Sequence, residues 1–473
     1  MALPPILDPF AEGAPAAVMT RLALDWIVDG ADVDRLFEEL AEGQYLREFT
    51  LGHLVQVMLD VACGYKPSPL AAFRARRLDE VASVSAFYRK LDRMELAVTA
   101  AILSRSADRA ADLISASGGT TPEPIPGYAT RVLDGNILTG TEHRLKPLRG
   151  TRSAALPGMS LAVFEPATGL IREVVLEEDA HRQERANLDR VPLGPGQLWI
   201  ADRNFCLRSF LLRVARAGSR SLIRWHRSAC PFTEAGPTRA VGRCETGEVF
   251  EQPIEVEDPE EPGSCHRLRR VVLVLDEPTR DGETEIVLVT DLPAEVAAAA
   301  CCRAYRGRWR IEGHFQVLTE LLHCEVATLG HPRAALFAFT MSAVAGNALA
   351  VLKGNLRATH GAEMVEAVSN HALVTEVAEI YPGMMMAVPP CHWRFADDLE
   401  VTDLASLLND LAEKVEIHRK LRSRRGPKHS RKARKSSGRR IHHVSTKKMM
   451  DAAKADGARA ARAEVSRNQR FQS

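Results

Sequence analysis

The sequence predicts an α/β fold: a mixed β-sheet with flanking helices and a β-rich insertion, preceded by a helical N-terminal domain. Three observations predict it. Residues 1–117 pattern as helices, residues from about 128 become strand-rich around an interposed helix at 207–217, and residues 419–448 lose apolar periodicity and turn strongly basic. At 473 residues and 45% hydrophobic content, the chain has material for several units and for a full core.

In the N-terminal region, Asp32 and Ser85 are candidate helix starts, and the Gly/Ser/Pro-bearing stretch 115–124 is a candidate linker. The segment 83–93 offers Arg89, Lys90 and Arg93 after a helix carrying Arg74, Arg76 and Arg77. It suits a recognition helix placed in a DNA groove, and equally an amphipathic core helix with a basic outer face. Strands are expected at 128–138, 160–164, 170–176, 197–201 and 221–226. Between 227 and 283 the pattern shifts to short strands at 249–256 and 271–275 around an acidic, proline-bearing stretch. A further strand, 288–292, precedes a helix that begins near residue 300.

Residues 334–352 carry no charge and approach the length of a bilayer span. Their Ala content, with Thr340, Ser342, Gly346 and Asn347, makes a buried helix the expected form and leaves no membrane partner. Nine cysteines without a regular framework fit a reducing compartment, offer no paired zinc spacing, and accompany an N-terminus without a signal-peptide pattern. The formal charge of +1 conceals an asymmetry: residues 419–448 hold 14 Lys or Arg and no acid, so the rest of the chain carries −13. A tail over 416–473 is therefore expected to be disordered in isolation and to bind nucleic acid through its phosphates, or else to be merely solvated.

The most informative stretch is Tyr305-Arg306-Gly307-Arg308-Trp309-Arg310-Ile311-Glu312. On one continuous helix, Tyr305, Arg308, Glu312 and Thr319 would share an arc of roughly 60°, beside an apolar stripe of Ile311, Phe315, Leu318 and Leu322. A carboxylate beside guanidinium and ring suits a metal ion held against a phosphate; it also suits a surface ion pair between Arg308 and Glu312. Two aspartates stand upstream at the ends of strand patterns, Asp134 after Val132-Leu133 and Asp202 after Ile200-Ala201. Alone, Asp134-Gly135 could form a hairpin turn and Asp202 could cap the following helix.

Together these residues resemble IS4-type (Tn5-related) DDE transposases of bacterial insertion sequences, over most of residues 128–353. The signature is Tyr, two residues, Arg, three residues, Glu, six residues, Lys; Tyr305, Arg308 and Glu312 match, and Thr319 stands at the Lys position. Asn136 stands where the first motif often has Thr or Ser. The resemblance implies an RNase H-like catalytic domain over 128–415 with its insertion at about 227–283, and an end-binding domain at 1–117. Asp134, Asp202 and Glu312 would hold Mg²⁺ or Mn²⁺, while Tyr305, Arg308, Trp309 and Thr319 would touch DNA. It further implies cut-and-paste transposition of double-stranded DNA by a cytoplasmic, nucleoid-associated homodimer. The alternatives are a non-catalytic or decayed DNA-binding protein of the same fold and a nuclease that cuts without joining.

Overall fold

The computed structural model describes residues 3–43, 48–279, 281–422 and 443–470, with side chains of the last helix described through residue 459. The chain opens with seven α-helices: α1 Asp8–Gly13, α2 Pro15–Ile27, α3 Gly30–Leu40, α4 Leu51–Ala62, α5 Pro69–Ala75, α6 Val84–Asp92 and α7 Leu96–Ala116. Local capping chemistry sets their starts. Asp29, Thr50, Ser68 and Ser83 each accept a backbone N–H from the first turn of α3, α4, α5 and α6. The helix starts expected at Asp32 and Ser85 therefore move to Asp29 and Ser83, whose oxygens sit where the first free amides are.

A mixed ten-stranded sheet follows. Its strands are β1 Ala129–Ile137, β3 Met159–Glu165, β4 Leu170–Glu177, β5 Gln197–Ala201, β6 Arg220–Arg224, β7 Thr233–Glu234, β8 Arg239–Cys244, β9 Gly247–Glu257, β10 Cys265–Leu275 and β11 Glu285–Thr290; the short β2, Ala154–Leu156, lies outside it. The order is β4-β3-β1-β5-β6-β11-β10-β9-β7, with β8 also on β9. The central β1, β5 and β6 are parallel, and β3, β4 and β9–β11 pair antiparallel. The segment 227–283 is β-rich and lies in this sheet. Its strands β7–β10 extend the central sheet through β11, which pairs with β6.

Alternation along the strands separates two cores. Val132 and Ile200 belong to a continuous core that runs from Leu7 to Ile417 and joins the N-terminal helices to one face of the sheet. Leu133 and Trp199 face the other side, with Phe210 and Leu211 of α8, Arg208–Arg216. Over the first face lie α9 Ala298–Arg306, α10 Arg310–Glu320 and α11 Pro332–His360, then α12 Ala362–Glu366, α13 Asn370–Ala387 and α14 Val401–Glu413. Among the described residues, α11 is the one helix long and apolar enough to cross a membrane, and 94% of that stretch is buried inside the protein. The chain leaving α7 passes tightly across α11: a Cβ at Gly119 would sit 2.3 Å from the Gly354 carbonyl oxygen, so this crossing requires glycine.

Part of the expected tail lies among the described residues. Residues His443–Ser445 form β12, parallel to β2, and α15 spans Thr446–Arg470. An Ala-, Lys- and Arg-rich composition has high helix propensity, and Lys448 pairs with Asp179 at 3.3 Å. Residues 423–442, which hold the densest part of the basic run, lie outside the described residues.

Candidate functional site

Asp134 and Asp202 end up side by side for a simple reason. Leu133 pairs with Ala201 across the parallel strands β1 and β5, so the next residue on each strand is an aspartate. Both aspartates follow a residue of the opposite core by one step, which puts them on the face covered by α9 and α10. Asp134-Gly135 is no hairpin turn, because β1 continues through Ile137. Nor does the Asp202 side chain cap a helix: it makes no capping hydrogen bond, and the next α-helix begins at Arg208.

The expected continuous helix is interrupted. Helix α9 ends at Arg306, Gly307–Trp309 tighten into a 3-10 turn, and α10 resumes at Arg310. The turn places Arg308 inward. Only 6% exposed, it bonds Asp134 Oδ2 at 3.0 Å through Nη1 and Glu312 Oε1 at 2.9 Å through Nη2. This is more than a surface ion pair, since Asp134 lies on a different element. Tyr305, also buried, donates its hydroxyl to Asp202 Oδ1 at 3.3 Å. Burial works against the Arg308 charge, but Tyr305, Asp134, Asp202 and Glu312 outweigh it and hold its pKa above the ordinary value. The three acidic residues therefore converge on one guanidinium.

Burial pushes the Asp134 carboxyl up to about 6, against the pull of Arg308 and of the Gly135 N–H, with Glu312 and Glu184 adding repulsion. Burial likewise raises the Tyr305 hydroxyl, and Asp202 adds to the rise. Trp309 is 63% exposed, with the Arg308 guanidinium 5.4 Å from its ring centroid. Beside it, a cavity of about 570 Å³ opens between α9 and the β8–β11 region, bordered by Tyr305, Arg306, Trp309 and Leu288.

Other candidates fall elsewhere. Thr319 is exposed and donates its hydroxyl to Phe315 O at 3.0 Å within α10. Asn136 lies in β1 opposite Ser160. On α6, Arg89 and Arg93 are exposed, while Lys90 turns inward, donating to Phe49 O at 2.9 Å and lying 5.0 Å from the Phe37 ring. A third strand-end acid, Asp291, accepts Ser221 N at 2.6 Å and ties β11 to β6, a structural task.

Two neighbours escaped sequence reasoning. Glu184, from a 3-10 segment ahead of β5, presses its carboxylate over Gly135, where a Cβ would lie 2.1 Å from Oε1; Asn204 holds it at 2.6 Å. Arg224 pairs with Glu283 at 2.6 Å and senses both Tyr305 and Asp202. Neither has a spacing relation to the signature, and only the Asp202-Arg203-Asn204 sequence hinted that β5 ends in polar positioning groups.

The donor chemistry of Asp134, Asp202 and Glu312 suits a hard divalent cation. As arranged, however, no group of three or more such side chains among the described residues is close enough to hold an ion, and the Arg308 guanidinium neutralises two of the carboxylates. Metal entry would require Asp134 and Glu312 to release Arg308. No protein-family model and no curated protein matches the chain.

Proposed function

We propose that this chain is a DNA transposase of the IS4-type DDE kind, cleaving and rejoining strands at the ends of its own element. The observation that carries this is the meeting of Asp134, Asp202 and Glu312, from three elements spread over 179 residues, around Arg308 and Tyr305. A mixed sheet with flanking helices supports the RNase H-like reading. So does the position of two acids, each one residue beyond the last residue pair, Leu133 with Ala201, of the adjacent parallel strands β1 and β5.

Asp134, Asp202 and Glu312 would hold Mg²⁺ or Mn²⁺, which when bound supplies charge neutralisation at the scissile phosphate and at the attacking and leaving oxygens. The chain's own groups supply the rest. Arg308, freed from Asp134 and Glu312, is placed to take a phosphate oxygen in a forked contact. Tyr305 fixes Asp202 through its hydroxyl. The exposed Trp309 ring, beside the 570 Å³ cavity, offers a stacking surface for a displaced base. The exposed Arg89 on α6 would meet duplex phosphates, with Arg93 at the end of that helix, and the dense basic run adds sequence-independent affinity. We place the enzyme in the cytoplasm at the nucleoid, acting as a synaptic homodimer.

Incubating the protein and Mg²⁺ with DNA from both flanks of its own coding sequence, plus a target plasmid, tests the proposal. Cleaved flanks and strand-transfer products are expected, with Glu312→Gln losing at least about 10²–10³-fold in rate while remaining folded. Cutting without transfer products would make the protein a nuclease. One observation favours a second reading: Asp134 and Glu312 are already satisfied by Arg308, as in a DNA-binding protein that no longer cuts. Duplex binding without any metal-dependent cleavage would establish that reading instead.

A further inference from the structure

The face of α10 opposite Glu312 borders a cleft of about 450 Å³ between α10, α11 and the start of α13, and cations line it. We propose that this cleft is a second nucleic-acid site, in which Arg310, Lys353, Arg357 and Arg422 hold consecutive phosphates of the DNA backbone. The inference rests on the DNA-processing function above and deepens it.

The first argument is charge without compensation. Lys353 Nζ donates to Asn370 Oδ1 at 3.1 Å. Arg357 donates to the carbonyls of Gly119 at 2.7 Å and Thr168 at 3.3 Å, and Arg422 to those of Val368 at 3.2 Å and Glu366 at 2.6 Å. Neutral acceptors fix the direction of these side chains and leave their charge intact. Two carboxylates border the cleft. Glu320 accepts a hydrogen bond from Gln316, and Glu366 stands 3.9 Å from Arg310 at the exposed rim, the one ion pair made by any of the four cations among the described residues. Arg131 with Glu165 and Arg269 with Glu251 show the contrasting arrangement, in which a half-buried guanidinium is paired with an acid. Assembling unpaired like charges is unfavourable unless an anion completes them.

Burial lowers Lys353 to about 8, with Arg357, Arg422 and Arg310 adding repulsion against the single pull of Glu366. Burial also lowers Arg357, with Arg310 contributing. At the same wall, His314 Nε2 is buried without a hydrogen-bond partner. The second argument is extent and place. Four cations exceed what a single small phosphate needs, and they run from Arg310, two residues beyond Arg308, to Arg422, where the basic run begins. A backbone passing the catalytic face can therefore continue around α10.

The test uses the full chain in a Glu312→Gln background, so that binding is read without cleavage. Anisotropy of a labelled mixed-sequence duplex is followed over a salt series for this parent, for Arg310→Gln, and for Arg310→Gln with Lys353→Gln. Losing two phosphate contacts should weaken binding roughly tenfold near 0.1 M salt and flatten the log–log salt slope by about 2, and Arg310→Gln alone by about 1. The exposed Arg310 makes that single variant safe for folding. Unchanged affinity and slope, or no duplex binding by the parent, overturns the proposal. So does a cleft that serves only a free anion: inorganic phosphate would then raise the thermal midpoint of the parent and not of the double variant, with duplex binding equal in both. A wild-type protein that cleaves DNA while the double variant binds normally sinks the cleft alone. Binding that depends on the cleft, without cleavage by the wild type, sinks the transposase proposal alone.

Discussion

Helix α10 divides two electrostatic environments that invert one another. On its Glu312 face a single guanidinium, Arg308, serves Asp134, Asp202 and Glu312. On the opposite face Arg310, Lys353, Arg357 and Arg422 share little more than Glu366. About 160° of helix rotation separates Arg310 from Glu312 at about 100° per residue. On the functions proposed above, each face carries the charge that its ligand would neutralise. The first face has negative charge to offer a cation, and the second has positive charge to offer phosphate.

The largest break comes from removing Arg308, the guanidinium bonded to Asp134 and Glu312. Arg308→Gln leaves Asp134 and its neighbours uncompensated, and breaking a buried pair in this way costs about 3 kcal/mol. Glu312 is 40% exposed and recovers part of its hydration, so Asp134 carries most of the loss. Urea unfolding should show the drop, and MgCl₂ should restore more stability to the variant than it adds to the wild type, because the ion then enters a cluster without a competitor. An equal response of both proteins to Mg²⁺ would mean that Arg308 and metal do not compete for these carboxylates.

On the cationic face the same logic predicts the opposite sign. The Lys353 pKa in the folded protein lies below that of the unfolded chain, so its protonated form costs stability below about pH 8. That cost fades as pH rises from about 8 towards the unfolded value near 10.5. Lys353→Gln keeps a donor for Asn370 and removes the charge, so it should stabilise the protein by about 1 kcal/mol at pH 7. The gain should shrink to nothing near pH 10.5. A variant that is more stable but binds DNA less well would be the usual trade of stability against function. Destabilisation at pH 7 would mean that Lys353 is a satisfied structural group.

Much of this was legible in the sequence, for identifiable reasons. Asp134 and Asp202 stood out because strand patterns are local properties, and β1 and β5 fell within a residue of their expected bounds. Glu312, Arg308 and Tyr305 were found by spacing, although the helix that carries them breaks at Gly307–Trp309. The break turns Arg308 towards Asp134, a contact across 174 residues that no periodicity encodes. Glu184 and Arg224 stayed invisible for the same reason, and so did the cationic cleft. Its members come from α10, α11 and the chain at residue 422, and they meet only because α11 packs across the fold. The inward turn of Lys90 was equally hidden, since its place on a basic helix says nothing of Phe37 and Phe49.

The smallest expected effect sharpens the comparison most cleanly. Thr319 lies seven residues beyond Glu312, about 10 Å along the axis and close to the same angular face, so it belongs to the acidic side of α10. Its hydroxyl is committed to Phe315 O, and its side chain is exposed, so Thr319→Lys meets no steric barrier and gains slightly in helix propensity. Stability should stay within about 0.5 kcal/mol. If DNA crosses the Glu312 face, the added charge should tighten duplex binding severalfold at low salt and steepen the salt slope by about 1. The same substitution in the Arg310→Gln, Lys353→Gln protein should give the same increment, because groups on opposite faces without shared partners act additively. A slope that stays unchanged would place the DNA path away from Thr319, leaving the cationic face as the main phosphate contact of α10.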